Sequence, residues 1–212
     1  MTNESRKPVM AGNWKMNINH LESIAYVNKM AFSLIEADYA RTEVVIFPPF
    51  TNIRSVQTVI DADHLAITYG AQDISAHDSG AYTGEISGSM LKKLRVTYAL
   101  IGHSERRAYH HETDESVNAK VKAAIKNDLI PMIAVGETLD IRQSGNAVEH
   151  TLTQIQGALK DVRSNYVSEL VIAYEPVWAI GTGEVATPQD AQDMSLAIRQ
   201  KVAKLYSQDV AD

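Results

Sequence analysis

The sequence contains no cysteine, no excess of positive charge and no long apolar run. Without cysteine, disulfides, thiol nucleophiles and cysteine-based metal sites are excluded, and a reducing compartment suits the chain. Lysine and arginine number 20 against 26 aspartates and glutamates, a net charge of −6. Bulk nucleic-acid binding needs a basic face, and a membrane-spanning helix needs about 20 apolar residues. We therefore expect neither nucleic-acid nor membrane partners.

The composition is that of an ordinary folded protein. The 212 residues are 45% hydrophobic and 22% charged. This length suits one large domain or two small ones. Because no linker or composition shift marks a boundary, we expect a single domain over residues 1–212. The stretch Met1–Pro8 is polar and lacks the apolar run of a signal peptide, so we expect a cytoplasmic location.

Short apolar runs alternate with helical patterns along the chain. Unbroken apolarity is typical of parallel strands buried on both faces. The runs are Val9–Ala11, Val44–Phe47, Leu65–Ile67, Ala99–Ile101, Met132–Val135 and Leu170–Ala173. Four stripes at near-helical spacing lie between them, and we expect them to pack into the core. The stripes run over residues 21–35, 117–125, 148–162 and 191–205.

These patterns predict about six βα units. A capping box at Asn19 and Glu22 starts one helix, and Thr187 followed by Pro188 starts another. Two architectures fit: an open doubly wound sheet, or a (β/α)₈ barrel cut short, since a complete barrel needs about 250 residues. Periodicity alone does not choose between them.

Three apolar runs are followed by chemically useful side chains. Lys15 follows the first run, His103 the fourth and Glu175 the sixth. In parallel α/β folds reactive groups collect where strands end. If the three converge, the site holds a cation, a neutral hydrogen-bond donor and a base. That set suits proton abstraction next to a carbonyl group.

The connection after Glu175 is unusually long. Residues 176–187 exceed the roughly 2–6 residues of an ordinary βα loop, and they contain Trp178, Gly181 and Gly183. Prolines stiffen both edges. This pattern favours a lid that moves as a unit, although a simple surface loop fits the same observations.

Two further patterns resemble cofactor or metal motifs. Residues 181–186 match G-x-G-x-x-A, but the first glycine comes several residues after the strand, where a dinucleotide fingerprint would follow it directly. The run His110-His111-Glu112 contains metal-binding residue types, but adjacent side chains rarely point the same way, so we expect a solvated approach to a helix. The sequence thus predicts no cofactor and no metal.

Four segments together resemble the triosephosphate isomerase family, in order and over essentially the whole chain. They are Asn13-Trp14-Lys15, residues 80–85 (GAYTGE), residues 102–107 (GHSERR) and residues 173–183 (AYEPVWAIGTG). The resemblance implies a (β/α)₈ (TIM) barrel with about six βα units present. The implied reaction interconverts dihydroxyacetone phosphate and glyceraldehyde 3-phosphate through an enediol(ate), without cofactor or metal.

The resemblance also implies individual roles. Glu175 would be the base, and an uncharged His103 would polarise the carbonyl group. Lys15 would offset the substrate's negative charge and Asn13 would bind substrate oxygens, while Glu105 would position Lys15 through an ion pair. These residues form the expected active site.

Two loops complete the implied site. The lid would close over the phosphate, with the Gly181 amide as a donor, and would exclude water. The loop from Gln72 to Ser87, with Thr83 at its tip, resembles the family's dimer loop. We therefore expect a homodimer and a small phosphorylated triose substrate.

The sequence stops after the sixth unit, whereas the family continues with two more units whose glycine-rich loops bind phosphate. We therefore expect an incomplete barrel that, as 212 residues alone, would be poorly soluble and catalyse weakly, since open edges expose strands and interior. Two alternatives are another phosphosugar-handling barrel enzyme and a non-catalytic fragment.

Overall fold

Six parallel strands form the centre of the protein. The computed structural model describes residues 6–212, so residues 1–5 of the polar N-terminal stretch, in which we expect no signal peptide, lie outside the described residues. The strands are β1 (Val9–Asn13), β2 (Glu43–Phe47), β3 (Ile67–Ala71), β4 (Tyr98–Ile101), β5 (Ile130–Val135) and β6 (Val171–Tyr174). They pair in sequence order, each parallel to the next.

Helices follow every strand. They are α1 (His20–Ser33), α2 (Glu36–Arg41), α3 (Phe50–Ala62), α4 (Gly88–Lys93), α5 (Ser104–Tyr109), α6 (Asp114–Lys126), α7 (Leu139–Gln143), α8 (Ala147–Ala158), α9 (Ser164–Val167), α10 (Pro188–Leu205) and α11 (Gln208–Ala211), with a 3₁₀ helix at Val177–Ala179. A doubly wound sheet reverses its strand order at a switch point. Here the order runs from β1 to β6 without reversal, which confirms the expected half-barrel of six βα units.

Apolar side chains pack on both faces of the sheet. The larger cluster lies between strands and helices and includes Ile46, Ile101 and Ile133. A smaller cluster includes Val45, Phe47, Tyr98, Leu100 and Met132, the alternating partners on the same strands. This two-sided burial explains why β2, β3, β4 and β5 appear as unbroken apolar runs. The expectation is wrong for β1, where Met10 is 65% exposed.

The apolar stripe predicted for α1 does not face the core. Phe32 is 91% exposed and Leu21 is 66% exposed, whereas Ser23 and Val27 are buried. The helix turns its Ser23 face toward α3, where Asn52 Nδ2 donates a hydrogen bond to Ser23 Oγ at 2.8 Å. This polar contact with the neighbouring helix accompanies the observed rotation, and apolar periodicity alone does not report it.

The other stripes have mixed outcomes. On α6, Val117, Val121 and Ala124 are fully buried, as predicted. The stripe at 148–162 is only partly correct, because Val148 is 48% exposed and α8 ends at Ala158.

The expectation of a solvated Glu112 is wrong. Its side chain is only 5% exposed and accepts hydrogen bonds from Arg106 Nε, at 2.6 Å, and from Lys120 Nζ. Arg106 and Lys120 also pair with Asp73, at 2.7 and 2.6 Å. Burial raises the pKa of Asp73; burial also acts upward on the pKa of Glu112, but hydrogen bonds from Lys120 and Arg106 outweigh it and lower that pKa. The four charges tie the segment after β3 to α5 and α6.

In the part of the chain that the structure describes, no helix has both the length and the apolarity to cross a membrane.

We predict that Ile101→Ala lowers the free energy of unfolding by about 2–5 kcal/mol, because Ile101 is fully buried at the end of β4 and its loss leaves a cavity. Urea unfolding measures the change. The control is Leu196→Ala on α10, where a side chain 50% exposed should shift stability by no more than about 0.5 kcal/mol. Equal losses in the two variants would contradict the core assignment.

Candidate active site

The predicted site residues meet at the carboxyl ends of three strands. Asn13 is the last residue of β1, His103 follows β4 by two residues, and Glu175 directly follows β6. Because all strands are parallel, these ends share one edge of the sheet. Contacts among Lys15, Glu105, His103 and Glu175 join the three ends into one cluster.

Lys15 is held from three directions. Its backbone N–H donates to Asn13 Oδ1 at 2.9 Å, and its carbonyl oxygen accepts from Gln72 Nε2 at 2.8 Å. Its Nζ contacts Glu105 Oε1 at 2.8 Å, which is the ion pair that the resemblance implies. The hydrogen bond to Glu105 raises the pKa of Lys15, with a further contribution from the charge of Glu175. The ammonium group is therefore a fixed cation at neutral pH.

His103 is a buried imidazole at the N-cap of α5. Its Nδ1 accepts a hydrogen bond from the backbone N–H of Glu105 at 3.2 Å. A ring nitrogen that accepts cannot carry a proton, so the hydrogen of the neutral ring lies on Nε2. Nε2 lies 3.6 Å from Glu175 Oε1. The ring therefore presents an N–H donor toward the cluster.

Glu175 is held at both its backbone and its side chain. Its backbone N–H donates to the Val135 carbonyl at 2.8 Å, extending the pairing of β5 with β6. Its Oε2 accepts from Ser104 Oγ at 2.7 Å, while Oε1 faces His103. The carboxylate is thus an oriented acceptor beside the imidazole donor.

Close backbone packing sets the position of Glu175. A Cβ on Gly136 would lie 1.9 Å from the Glu175 carbonyl oxygen, so only glycine fits there. Gln154 on α8 exchanges two hydrogen bonds with the Gly136 backbone, at 2.9 and 3.2 Å. This support fixes the strand end from which the carboxylate projects.

Within residues 6–212, neither Gly181 in the lid nor Thr83 makes a hydrogen bond or an ion pair with the cluster. Gly181 lies at the exposed lid tip with a φ of +68°, and Thr83 lies in the exposed loop after β3. The lid begins with the 3₁₀ helix, whose Trp178 is buried and donates its backbone N–H to the Glu137 carbonyl at 3.0 Å.

Three positioning residues were not predicted. Ser104 lies inside a quoted motif, beside His103, yet its contact with Glu175 spans 71 positions. Gln72 and Gln154 act through backbone groups, which a sequence pattern does not report. Across residues 6–212 no group of three metal-ligating side chains is placed to hold a metal ion.

The cluster combines three chemical capacities. The Glu175 carboxylate accepts a proton, the His103 Nε2–H donates to an oxygen, and the Lys15 ammonium attracts an anion. The 3.6 Å between base and donor suits neighbouring atoms of one small molecule. Such a set can move a proton from carbon while it stabilises an adjacent oxyanion.

Comparisons with known proteins give a consistent result. The family described as triosephosphate isomerase matches the chain over residues 8–212. The triosephosphate isomerase of Streptomyces avermitilis is 64% identical over 208 residues, covering 98% of this chain and 81% of the relative. That of Streptomyces coelicolor is 63% identical, with the same coverage. That of Mycobacterium tuberculosis is 54% identical, covering 98% of this chain and 80% of the relative.

We predict that Gly136→Ala lowers the free energy of unfolding by about 1–3 kcal/mol, because the added methyl group pushes β5 and β6 apart at Glu175. Urea unfolding measures the effect. Gly12→Ala is the matched control, since a Cβ at Gly12 meets nothing within 4 Å. An unfolding midpoint for Gly136→Ala equal to that of the control would contradict the packing argument.

Proposed function

The chain belongs to the triosephosphate isomerase family, and we propose that it interconverts dihydroxyacetone phosphate and glyceraldehyde 3-phosphate with Glu175 as the base and His103 as the electrophile. The observation that carries this assignment is the 3.6 Å between Glu175 Oε1 and His103 Nε2, beside the Lys15 cation. Family membership supplies the reaction, and the contacts in the site support the division of roles.

Two groups, Glu175 and His103, carry out the proton transfers, and each ends the reaction in the protonation state in which it began. The Glu175 carboxylate takes a proton from the carbon beside the carbonyl group, and the electron pair moves to the carbonyl oxygen. His103 Nε2–H donates to that oxygen, which gives an enediol(ate). Glu175, now a carboxylic acid, returns the proton to the neighbouring carbon, and His103 moves the hydroxyl proton between the two oxygens. No electrons leave the substrate, so no redox step takes place.

Lys15 supplies a positive charge at the site of a chain whose net charge is negative. The substrate is a phosphate dianion and the chain has a net charge of −6, so a local cation is needed to attract and orient it. Glu105 holds the ammonium group at 2.8 Å in the cluster. The Asn13 side-chain amide, which already accepts from the Lys15 backbone, provides an N–H donor for substrate oxygens.

The lid completes the site when substrate binds. Residues 176–186 close over the phosphate, and the Gly181 amide donates to it. Closure excludes water and suppresses loss of phosphate from the enediol(ate). The exposed tip supports this role, because a Cβ at Gly181 would meet no atom within 4 Å and the tip has open space around it.

We further propose a homodimer formed through the loop around Thr83. That loop projects from the sheet edge, and stacking of His77 on Tyr82, with ring centroids 3.8 Å apart, stiffens it. Met16, beside Lys15, is 95% exposed and offers an apolar contact for the partner's loop. We also propose that residues 1–212 belong to one domain and that the protein is cytoplasmic.

We predict that Glu175→Asp lowers kcat about 100-fold, because the shorter side chain withdraws the carboxylate by about 1 Å. A coupled assay with glyceraldehyde 3-phosphate measures the change. The control is Glu169→Asp, an exposed position before β6, which should keep wild-type kcat. Undiminished turnover in Glu175→Asp would remove Glu175 from the role of base.

The dimer is tested by the mass of the protein in solution. Analytical ultracentrifugation should give twice 23.4 kDa for the wild type and 23.4 kDa for Met16→Glu, since a buried carboxylate opposes the contact. Phe32→Glu, at an equally exposed position on α1, should stay dimeric. A wild type that sediments as a monomer, or a dimeric Met16→Glu, would contradict the proposed interface.

A further inference from the structure

Arg142 on α7 contacts both ends of the lid although it belongs to neither. Its guanidinium lies 3.9 Å from the centre of the Trp178 ring, at the start of the lid. Its Nη2 pairs with Asp190 Oδ1 at 2.6 Å. Asp190 lies on the first turn of α10, the helix that follows the lid. One planar cation thus bridges two points that are separated by twelve positions of chain.

Each end of the bridge is itself fixed locally. At the first end, Thr182 Oγ1 donates a hydrogen bond to the Trp178 carbonyl oxygen at 2.6 Å. This bond folds the first lid residues into a turn. At the second end, Asp190 accepts from Thr187 N at 2.9 Å and from Thr187 Oγ1 at 2.6 Å. Those bonds, followed by the pairing with Arg142, lower the pKa of Asp190 to about 2, so this carboxylate is charged throughout the neutral range.

The guanidinium group of Arg142 also contacts a buried residue beside the sheet. Nη1 of Arg142, the terminal nitrogen that does not pair with Asp190, lies 3.8 Å from Oε1 of the fully buried Glu137. Tyr174, the last residue of β6, donates its hydroxyl to the same oxygen at 3.0 Å. Burial raises the pKa of Tyr174 to about 12, so it remains a donor. Arg142 therefore connects the lid to the strand end that carries Glu175.

We propose that Arg142 is a positioning residue for the lid: by stacking on Trp178 and pairing with Asp190, it holds the two lid ends as one rigid unit. A planar guanidinium can stack and form a hydrogen bond at the same time, which an ammonium group cannot do. A lid whose ends are already ordered loses less conformational entropy when it closes. The kinetic consequences of this role rest on the proposed isomerase activity.

The kinetic test compares Arg142→Gln, Arg142→Lys and the wild type. Without the bridge, closing the lid requires ordering both ends. We expect Arg142→Gln to raise KM for glyceraldehyde 3-phosphate, to lower kcat/KM about tenfold and to increase the phosphate released per turnover. Arg142→Lys keeps the pairing with Asp190 and should recover part of the loss. A merely structural role would lower kcat with the folded fraction and leave KM and phosphate release unchanged.

The control removes the same charge elsewhere. Arg163→Gln, at an exposed position before β6, alters the net charge equally and should match the wild type in all three quantities. Asp190→Asn keeps an oxygen that can cap Thr187 but loses the ion pair. It should therefore reproduce part of the Arg142→Gln effect, and it serves as the second variant if Arg142→Gln does not fold.

A spectroscopic readout tests the bridge without turnover. The chain has two tryptophans, so Trp14→Phe leaves Trp178 as the single emitter. In that background, the fluorescence anisotropy of Trp178 should fall for Arg142→Gln and stay unchanged for Arg163→Gln. If the wild type does not turn over the triose phosphate but the anisotropy still falls in Arg142→Gln, the proposed function alone is overturned. Unchanged anisotropy and unchanged KM in Arg142→Gln would overturn the bridge.

Discussion

The parallel pairing of six strands in sequence order is the constraint on which the site depends. It places every strand's carboxyl end at one edge, so that residues as distant as Asn13, His103 and Glu175 share a neighbourhood. The contact of Lys15 with Glu105 then links the first strand end to the fourth, and that of His103 with Glu175 links the fourth to the sixth. The backbone supplies proximity and the side-chain contacts supply orientation.

Buried charge in this protein is concentrated in paired networks around the site. The network of Asp73, Arg106, Glu112 and Lys120 lies beneath the loop that carries Thr83, and Arg142 with Glu137 and Asp190 lies beneath the lid. An unpaired buried charge is strongly unfavourable, so pairing holds the buried members Asp73, Lys120 and Glu137 in one arrangement. The loop around Thr83 and the connection after Glu175 are thus each attached to a network of paired charges.

Sequence patterns predicted the positions of the strands and helices better than they predicted which face of a helix is buried. The apolar runs at β2 to β5 predicted strands well because a strand buried on both faces needs no polar alternation. The boundary of β3 was less exact, since the strand begins at Ile67, the last residue of the run that predicts it. The prediction for α1 was wrong because the structure buries the other face of the helix, where Asn52 contacts Ser23. The prediction for Glu112 was wrong for a similar reason. Its partners lie on other segments, and the local run of two histidines and a glutamate does not indicate them.

The sequence alone predicted the positions of the strands, the residue types at their ends and the family, because local apolarity and contiguous motifs encode them. Only the tertiary structure decided that Ser104 orients Glu175, that Gly136 leaves room for the Glu175 carbonyl and that Arg142 joins the two ends of the lid. Each of these contacts spans more than 30 positions of chain. Their existence depends on how strands and helices pack against one another, which no local pattern records.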